Sequence, residues 1–156
     1  MELYVKDIEK IWSSGGASLV AGKNGIMRKV ESYDMMEQPK MKEWLREHVL
    51  LITTGYAIRN DKEALLELIQ NMHEANCSAL AIKTRFFDDF PQEALQLADQ
   101  LALPLFFLNN NAGFQDIVFP VMMAVVEAKI RFIWMPDTGW DSRISWNRIR
   151  SFFWSF

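Results

Sequence analysis

Residues 48–55 read HVLLITTG. From Val49 to Ile52 the side chains are apolar without alternation, the pattern of a strand covered on both faces, and two threonines and a glycine then end it. Such a strand belongs in a sheet sandwiched between helices, so its neighbours decide the fold. Downstream, residues 60–76 (NDKEALLELIQNMHEAN) put Ala64, Leu65, Leu68, Ile69, Met72 and Ala75 on one helical stripe. Asn60 and Glu63 there have the spacing of a capping box, and Asn76 suits a left-handed helix end. SALAIK (78–83) is a second continuous apolar run, PQEALQLADQLAL (91–103) a second helix with Pro91 in its first turn, and LPLFFL (103–108) a third run. Parallel neighbours need a crossover of about a dozen residues or more, which these helices supply. The expected fold is α/β: a mainly parallel sheet of about four to five strands with flanking helices, a single compact domain plus a C-terminal helix.

Upstream, Val5, Ile8, Ile11 and Trp12 recur at helical spacing. Ser18–Ala21 and Val30–Met36 are compatible with strands, and the intervening GKNGIMRK contains Asn24 and Gly25, which accept positive φ, so a hairpin-like pair is expected. Pro39 opens a short helix with Met41, Trp44 and Leu45 on its apolar side. Past the third run, Phe114 to Ile133 reads as a longer helix, apolar nearly all round, with Pro120 either in its first turn or kinking it. A helix of that kind needs cover from its own domain or from a second chain. Val121, Met122, Val125 and Ala128 are the candidate contacts of a homo-oligomer.

With half its 156 residues apolar, the chain has material for one core of ordinary size. A net charge of -3 gives no basic footprint for nucleic acid, so no direct nucleic-acid contact is expected from this chain. Cys77 has no cysteine partner and shares no metal-ligand spacing with His48 and His73, which fits a reducing cytoplasm and predicts neither metal nor cofactor. The longest apolar run, Ile117 to Val126, is about half of the roughly 20 residues that span a bilayer, so no membrane association is expected. Residues 131–156 differ in character, with four of the six tryptophans and four arginines against two aspartates. They read as a linker or a truncated or altered end following a domain over residues 1–130. A basic amphipathic surface helix is the rarer alternative.

If the three runs are parallel, their carboxyl ends share one edge of the sheet, where ligands of open α/β sheets bind. Thr53, Thr54 and Gly55 follow the first run, Lys83, Thr84 and Arg85 the second, and Asn109, Asn110 and Asn111 the third, while Glu37 ends the earlier VESYDMM segment. Hydroxyls, amides, two cations and a carboxylate at one edge suit a small polar ligand, and Gly55 lets backbone N–H groups approach it. Ordinary turn chemistry explains the same residues, because any strand leaving a core turns polar. Lys83 is the sharpest candidate for an anionic or carbonyl-bearing ligand, with a snorkelling surface lysine as its bland counterpart. No phosphate-binding glycine loop and no Ser-His-Asp or Cys-His arrangement stands out, so no catalytic residue is assigned.

Several stretches together resemble the N-terminal domain of PucR-type bacterial purine-catabolism regulators: Ala21-Gly22, Lys29-Val30, Glu37 with Pro39 and Trp44-Leu45, Leu50-Leu51 with Thr53-Thr54-Gly55, Ala79-Leu80 with Lys83, and Ala98-Asp99 with Leu103-Pro104-Leu105. The resemblance runs over roughly residues 1–130, with one departure at Glu47-His48-Val49, where the family usually has a small residue and an acid. It implies a non-catalytic regulatory domain of a transcription regulator whose DNA-binding helix-turn-helix lies elsewhere, with a small-molecule effector related to purine metabolism. Glu37, Thr53, Thr54, Gly55, Lys83, Arg85 and Asn109 are the expected effector-binding residues. The rivals are a dimerisation module without a ligand and an enzyme acting on a nitrogenous metabolite through Lys83 and Glu37.

Overall fold

The computed structural model describes residues 2–36 and 38–134, with side chains to residue 131. Helix α1 (Val5–Trp12) is followed by β1 (Ala17–Ala21) and β2 (Ser32–Met35), then by β3 (Val49–Thr53), α2 (Lys62–Glu74), β4 (Ala79–Ile82), α3 (Gln92–Leu101), β5 (Leu105–Leu108) and α4 (Phe114–Trp134). The five strands form one sheet in the order β1-β5-β4-β3-β2. β2, β3, β4 and β5 run parallel, and β1 pairs antiparallel with β5. The expected α/β architecture is therefore the observed one.

Alternation along each strand sorts the core into two layers. Leu51, Leu80, Ile82 and Leu105 point to the face covered by α2 and α3, where Leu65, Ile69, Met72, Ala94 and Ala98 are buried. Leu50, Ile52, Ala79, Ala81, Phe106 and Leu108 point to the other face, against Val5, Ile8 and Trp12 of α1 and Ile117, Val121 and Val125 of α4. Trp12 joins the two helices of that layer. Its indole N–H donates to the Ile117 carbonyl at 3.0 Å, and its ring stands edge-on to Phe106 with centroids 5.2 Å apart. The indole nitrogen thus satisfies its one donor in a site where it has no access to water.

The expected hairpin does not form: β1 and β2 lie at opposite edges of the sheet. Residues 22–31 instead form a strap along the amino ends of the parallel strands, and local chemistry holds it there. Gly22, at φ +72°, donates its N–H to the Asp99 carboxylate at 2.7 Å, and a β-carbon on it would collide with the Leu103 carbonyl. Gly25 is pressed as closely against the Ala102 carbonyl. It is Gly22, and not Asn24 or Gly25, that takes the left-handed conformation, because the turn packs against the α3–β5 loop and not against a paired strand.

Arg28 fixes the middle of the strap. Its guanidinium donates from Nε to the Ala102 carbonyl (2.9 Å), from Nη1 to the Cys77 carbonyl (2.9 Å) and from Nη2 to the Leu101 carbonyl (3.2 Å). Nη2 also lies 3.3 Å from His73 Nδ1, and since a guanidinium only donates, that imidazole nitrogen must accept. The Leu101 and Ala102 carbonyls lie at the end of α3, where a cation offsets the negative end of the helix dipole, and Cys77 lies in the connection from α2 to β4. Burial lowers the Arg28 pKa from its ordinary value, yet the group stays charged at any ordinary pH. The same burial pushes the neighbouring Cys77 thiol up to about 11, with Arg28 pulling against it, so Cys77 sits in the core as a neutral thiol bonded to the Arg46 carbonyl. Farther along, the Ser78 hydroxyl donates to the Lys29 carbonyl, and Val30 N–H to the Leu3 carbonyl.

Two smaller expectations also change. Met41 and Leu45 are buried as predicted but Trp44 is exposed, and only Lys42–Trp44 form a single 3-10 turn before the chain goes extended at Leu45. Two buried side chains give too little packing to hold a longer helix. Helix α2 is capped by Asp61, whose carboxylate accepts the Ala64 N–H at 3.0 Å, while Asn60 takes a left-handed φ of 52° and turns its side chain elsewhere. Pro120 lies within α4 beyond its first turn, leaving the Asp116 carbonyl without its usual helical donor.

Replacing Arg28 by Ala strands three carbonyls at once, and charged hydrogen bonds of this kind are each worth about 1.5–3 kcal/mol. Urea unfolding of Arg28→Ala should show a loss of at least about 2 kcal/mol. A midpoint within error of the parent would mean the strap is held without it.

Candidate effector site

Parallel pairing brings the carboxyl ends of β2 to β5 to one rim of the sheet, as the register shows: Ile82 lies opposite Thr53 and Phe107. The start of β1 joins them, because antiparallel pairing sets Ala17 opposite Leu108. The rim opposite is covered by the strap. Each nominated residue except Glu37, which falls outside the described residues, is placed at or just beyond the carboxyl rim.

Thr53 is buried, and its hydroxyl oxygen accepts the Gly55 N–H at 2.9 Å. Thr54 is exposed and its hydroxyl accepts the Tyr56 N–H at 3.3 Å. Gly55 turns the chain at φ +79°, and a β-carbon there would stand 3.1 Å from the side chains of Ile82 and Phe87. The TTG ending is thus first a turn: two hydroxyls satisfy the N–H groups that a strand leaves behind, and the glycine takes a conformation that other residues avoid. Thr54 keeps its own hydroxyl proton free to donate.

Lys83 projects to the α1/α4 side, and its ammonium donates to the Ala112 carbonyl at 3.3 Å in the turn that launches α4. Two of its three donors remain. Its neighbour Thr84 accepts from the Asn110 side-chain amide at 3.2 Å. Asn109 is committed to the β1 side of the rim. Its N–H bonds the Gly16 carbonyl, its side-chain amide bonds the Gly15 carbonyl at 2.9 Å, and its side-chain oxygen accepts the Asn111 N–H. Arg85 is exposed and points away from this network, its guanidinium lying 5.3 Å from the Phe86 ring centroid. The rim therefore brings Lys83 to the start of α4 and Thr84 to Asn110, while Thr53 serves the turn and Arg85 stands apart.

Three features escaped the sequence reading: the Ala112 carbonyl as partner of Lys83, the Thr84–Asn110 bond, and the rings of Tyr56 and Phe86 beyond two strand ends. Aromatic residues directly following the TTG and KTR stretches were the available signal. An open groove of about 540 Å³ lies elsewhere, between the β2 edge and α4, lined by Ser32, Tyr33, Asp34, Met35, Val125 and Lys129. None of the nominated effector-binding residues lines it. Of the four nominated dimer contacts, Val121 and Val125 are buried in the domain's own core, and Met122 and Ala128 are half-buried. Among the described residues, the exposed large apolar side chains of α4 are Phe114, Phe119 and Val126. Among the described residues no cluster of three or more metal-ligating side chains occurs, and no helix is long and apolar enough to cross a membrane.

The model of the purine catabolism regulatory protein-like (PucR) family matches residues 8–125. The chain belongs to this family. The purine catabolism regulatory protein of Bacillus subtilis (strain 168) is 34% identical over 128 residues, which covers 81% of this chain but 24% of that protein. The chain therefore spans about a quarter of the length of the curated relative it matches. Among solved structures, the CBS and DRTGG domains of the regulatory region of Clostridium perfringens pyrophosphatase, complexed with the activator diadenosine tetraphosphate, superpose with a TM-score of 0.47 at 13% identity, covering 80% of this chain and 46% of that one.

The PucR-like stretches divide between the two rims. Gly22, Asp99, Leu103 and Pro104 meet at the strap, where Gly22 bonds Asp99 and Pro104 packs beside Gly25. Thr53, Thr54, Gly55 and Lys83 stand at the other end of the strands. The first group holds the strap, and the second forms the turn after β3 and the link from β4 to the start of α4.

Proposed function

We propose that this is a non-catalytic regulatory domain that binds a small-molecule effector at the carboxyl-end rim of its parallel strands and relays occupancy through α4. The observation that carries the reading is the Lys83–Ala112 hydrogen bond, which ties the end of β4 to the turn preceding α4. An anionic or carbonyl-bearing ligand that takes the Lys83 ammonium competes with the Ala112 carbonyl. It thereby favours a different setting of the helix start, which is the differential affinity a regulatory domain needs. Thr54 and the Gly55 backbone supply further donors at the neighbouring strand end. PucR membership and the relative's name support a regulatory setting, and point to purines and related nitrogenous metabolites as the first compounds to try. The DNA-binding part of such a regulator lies, on this reading, outside this chain.

A thermal-shift screen of purines, ureides and related metabolites tests the effector reading. A true effector at 100 times its dissociation constant adds about 2.7 kcal/mol of stability, and Lys83→Ala and Thr54→Val should each diminish that gain. Stabilisation indifferent to both substitutions would move the site elsewhere.

The second reading, association of two copies through α4, draws support from Phe119 (45% exposed) and Val126 (38%) on its outer side. Sedimentation equilibrium should then reveal a monomer–dimer equilibrium that Phe119→Glu weakens by about tenfold or more, as for loss of a buried aromatic contact. A monomer at every concentration would remove this reading.

A further inference from the structure

The loops that follow β3 and β4 carry a row of rings and cations that the reading above leaves unused. The Arg59 guanidinium lies 4.1 Å from the Tyr56 ring centroid, the Tyr56 and Phe86 rings meet edge to face at 5.1 Å, and the Arg85 guanidinium lies 5.3 Å from the Phe86 centroid. The row thus runs cation, ring, ring, cation across two separate loops. Tyr56 remains 53% exposed, so this packing does not exist to hide the ring.

One side chain ties the two loops to each other. The Asn60 side chain bridges to Asp88 twice, its amide donating to the Asp88 carboxylate at 3.2 Å and its oxygen accepting the Asp88 N–H at 2.9 Å. That reciprocal pair explains why Asn60 adopts a left-handed φ instead of capping α2. Arg59 also donates to the Tyr56 carbonyl at 2.9 Å, which fixes one guanidinium over its ring. Among the described residues neither Arg59 nor Arg85 reaches a carboxylate within ion-pair distance, although acids outnumber bases in the chain by 20 to 17. Asp88, the acid nearest Arg85 in sequence, is taken up by Asn60, and Asp61, the one nearest Arg59, caps α2. Two guanidiniums without counter-ions, each near a ring and the first braced by a backbone carbonyl, form a site suited to an anion.

We infer that the Arg59–Tyr56–Phe86–Arg85 row binds a small anion built on a planar conjugated ring, its acidic groups on the guanidiniums and its ring against the exposed Tyr56. The inference rests on the rim reading and narrows it to a ligand class. Planar guanidinium forks match carboxylate or phosphate oxygens two at a time, and an aromatic platform favours a flat ligand over a flexible one of equal charge. The row lies beyond the carboxyl ends of β3 and β4, on the side of the sheet where open α/β folds hold their ligands.

Isophthalate and adipate are suitable probes, both dianions but only the first with a ring, titrated into the ¹⁵N-labelled full chain and followed by amide shifts. Isophthalate should give saturable shifts at residues 56–60 and 84–88, with affinity about tenfold above that of adipate. Arg59→Ala and Arg85→Ala should each weaken it by about fivefold or more, and Arg85→Lys, which keeps the charge but loses the fork, should not restore it. Equal binding of adipate, or no saturable shift in these loops, would overturn the inference. Shifts confined to Thr54, Lys83 and Asn109 and unaffected by the arginine substitutions would end this inference while leaving the rim reading standing. Binding of an acidic peptide with no response to isophthalate would replace the small ligand by a protein partner.

Discussion

A single guanidinium, that of Arg28, sets the layout of this domain. Between β1 at one edge of the sheet and β2 at the other, the chain must cross beneath three strands, and Arg28 holds that crossing to the end of α3 and to the α2–β4 connection. The Leu101 and Ala102 carbonyls are among those a helix end leaves without partners, so one cation satisfies the end of α3 and the α2–β4 connection together. Gly22 and Gly25 allow the strap to lie against residues 102–104 without a side chain intervening. With the crossing fixed, β2 can pair parallel to β3, and the four parallel strands send their carboxyl ends to the opposite rim.

The two rims consequently do different work. The strap rim is densely bonded, with buried Cys77 and Ser78, Arg28 and the glycine contacts all turned to structure. At the carboxyl rim the polar groups are only partly engaged: Lys83 has spare donors, Thr54 is exposed, and the loops after β3 and β4 display guanidiniums and rings. Lys83 links this rim to α4, a helix whose inner side belongs to the core through Ile117, Val121 and Val125 while Phe119 and Val126 face outward. On the proposed reading, a ligand at the strand ends would act on α4 through Lys83 and so on the outward face that carries Phe119 and Val126.

The continuous apolar runs around Leu50, Leu80 and Phe106 and the helices between them were legible because burial on both faces and helical periodicity are local signals. Pairing between distant strands is not local. Ser18–Ala21 and Val30–Met36 look like a hairpin only while Arg28, four residues short of β2, is left out of the account. Asn60 illustrates the same limit, since its capping-box spacing is real but Asp88, distant in sequence, claims its side chain. At the site, the strand-end positions of Thr53, Thr54, Lys83 and Asn109 followed from topology, whereas their partners did not. That Arg85 would turn to Phe86, and that Val121 and Val125 would be used inside the domain, depended on loop and helix placement that composition does not encode.

The account requires the strap rim to be the rigid end of the molecule and the carboxyl rim the adjustable one. Native-state amide hydrogen exchange measures that contrast residue by residue. Gly22, Gly25, Arg28 and Val30 should exchange only through global unfolding, at the same free energy as the amides of β4, while Tyr56 and Asn111 exchange by local opening and slow on binding an effector. Strap amides that exchange as readily as those of the carboxyl-rim loops would contradict it.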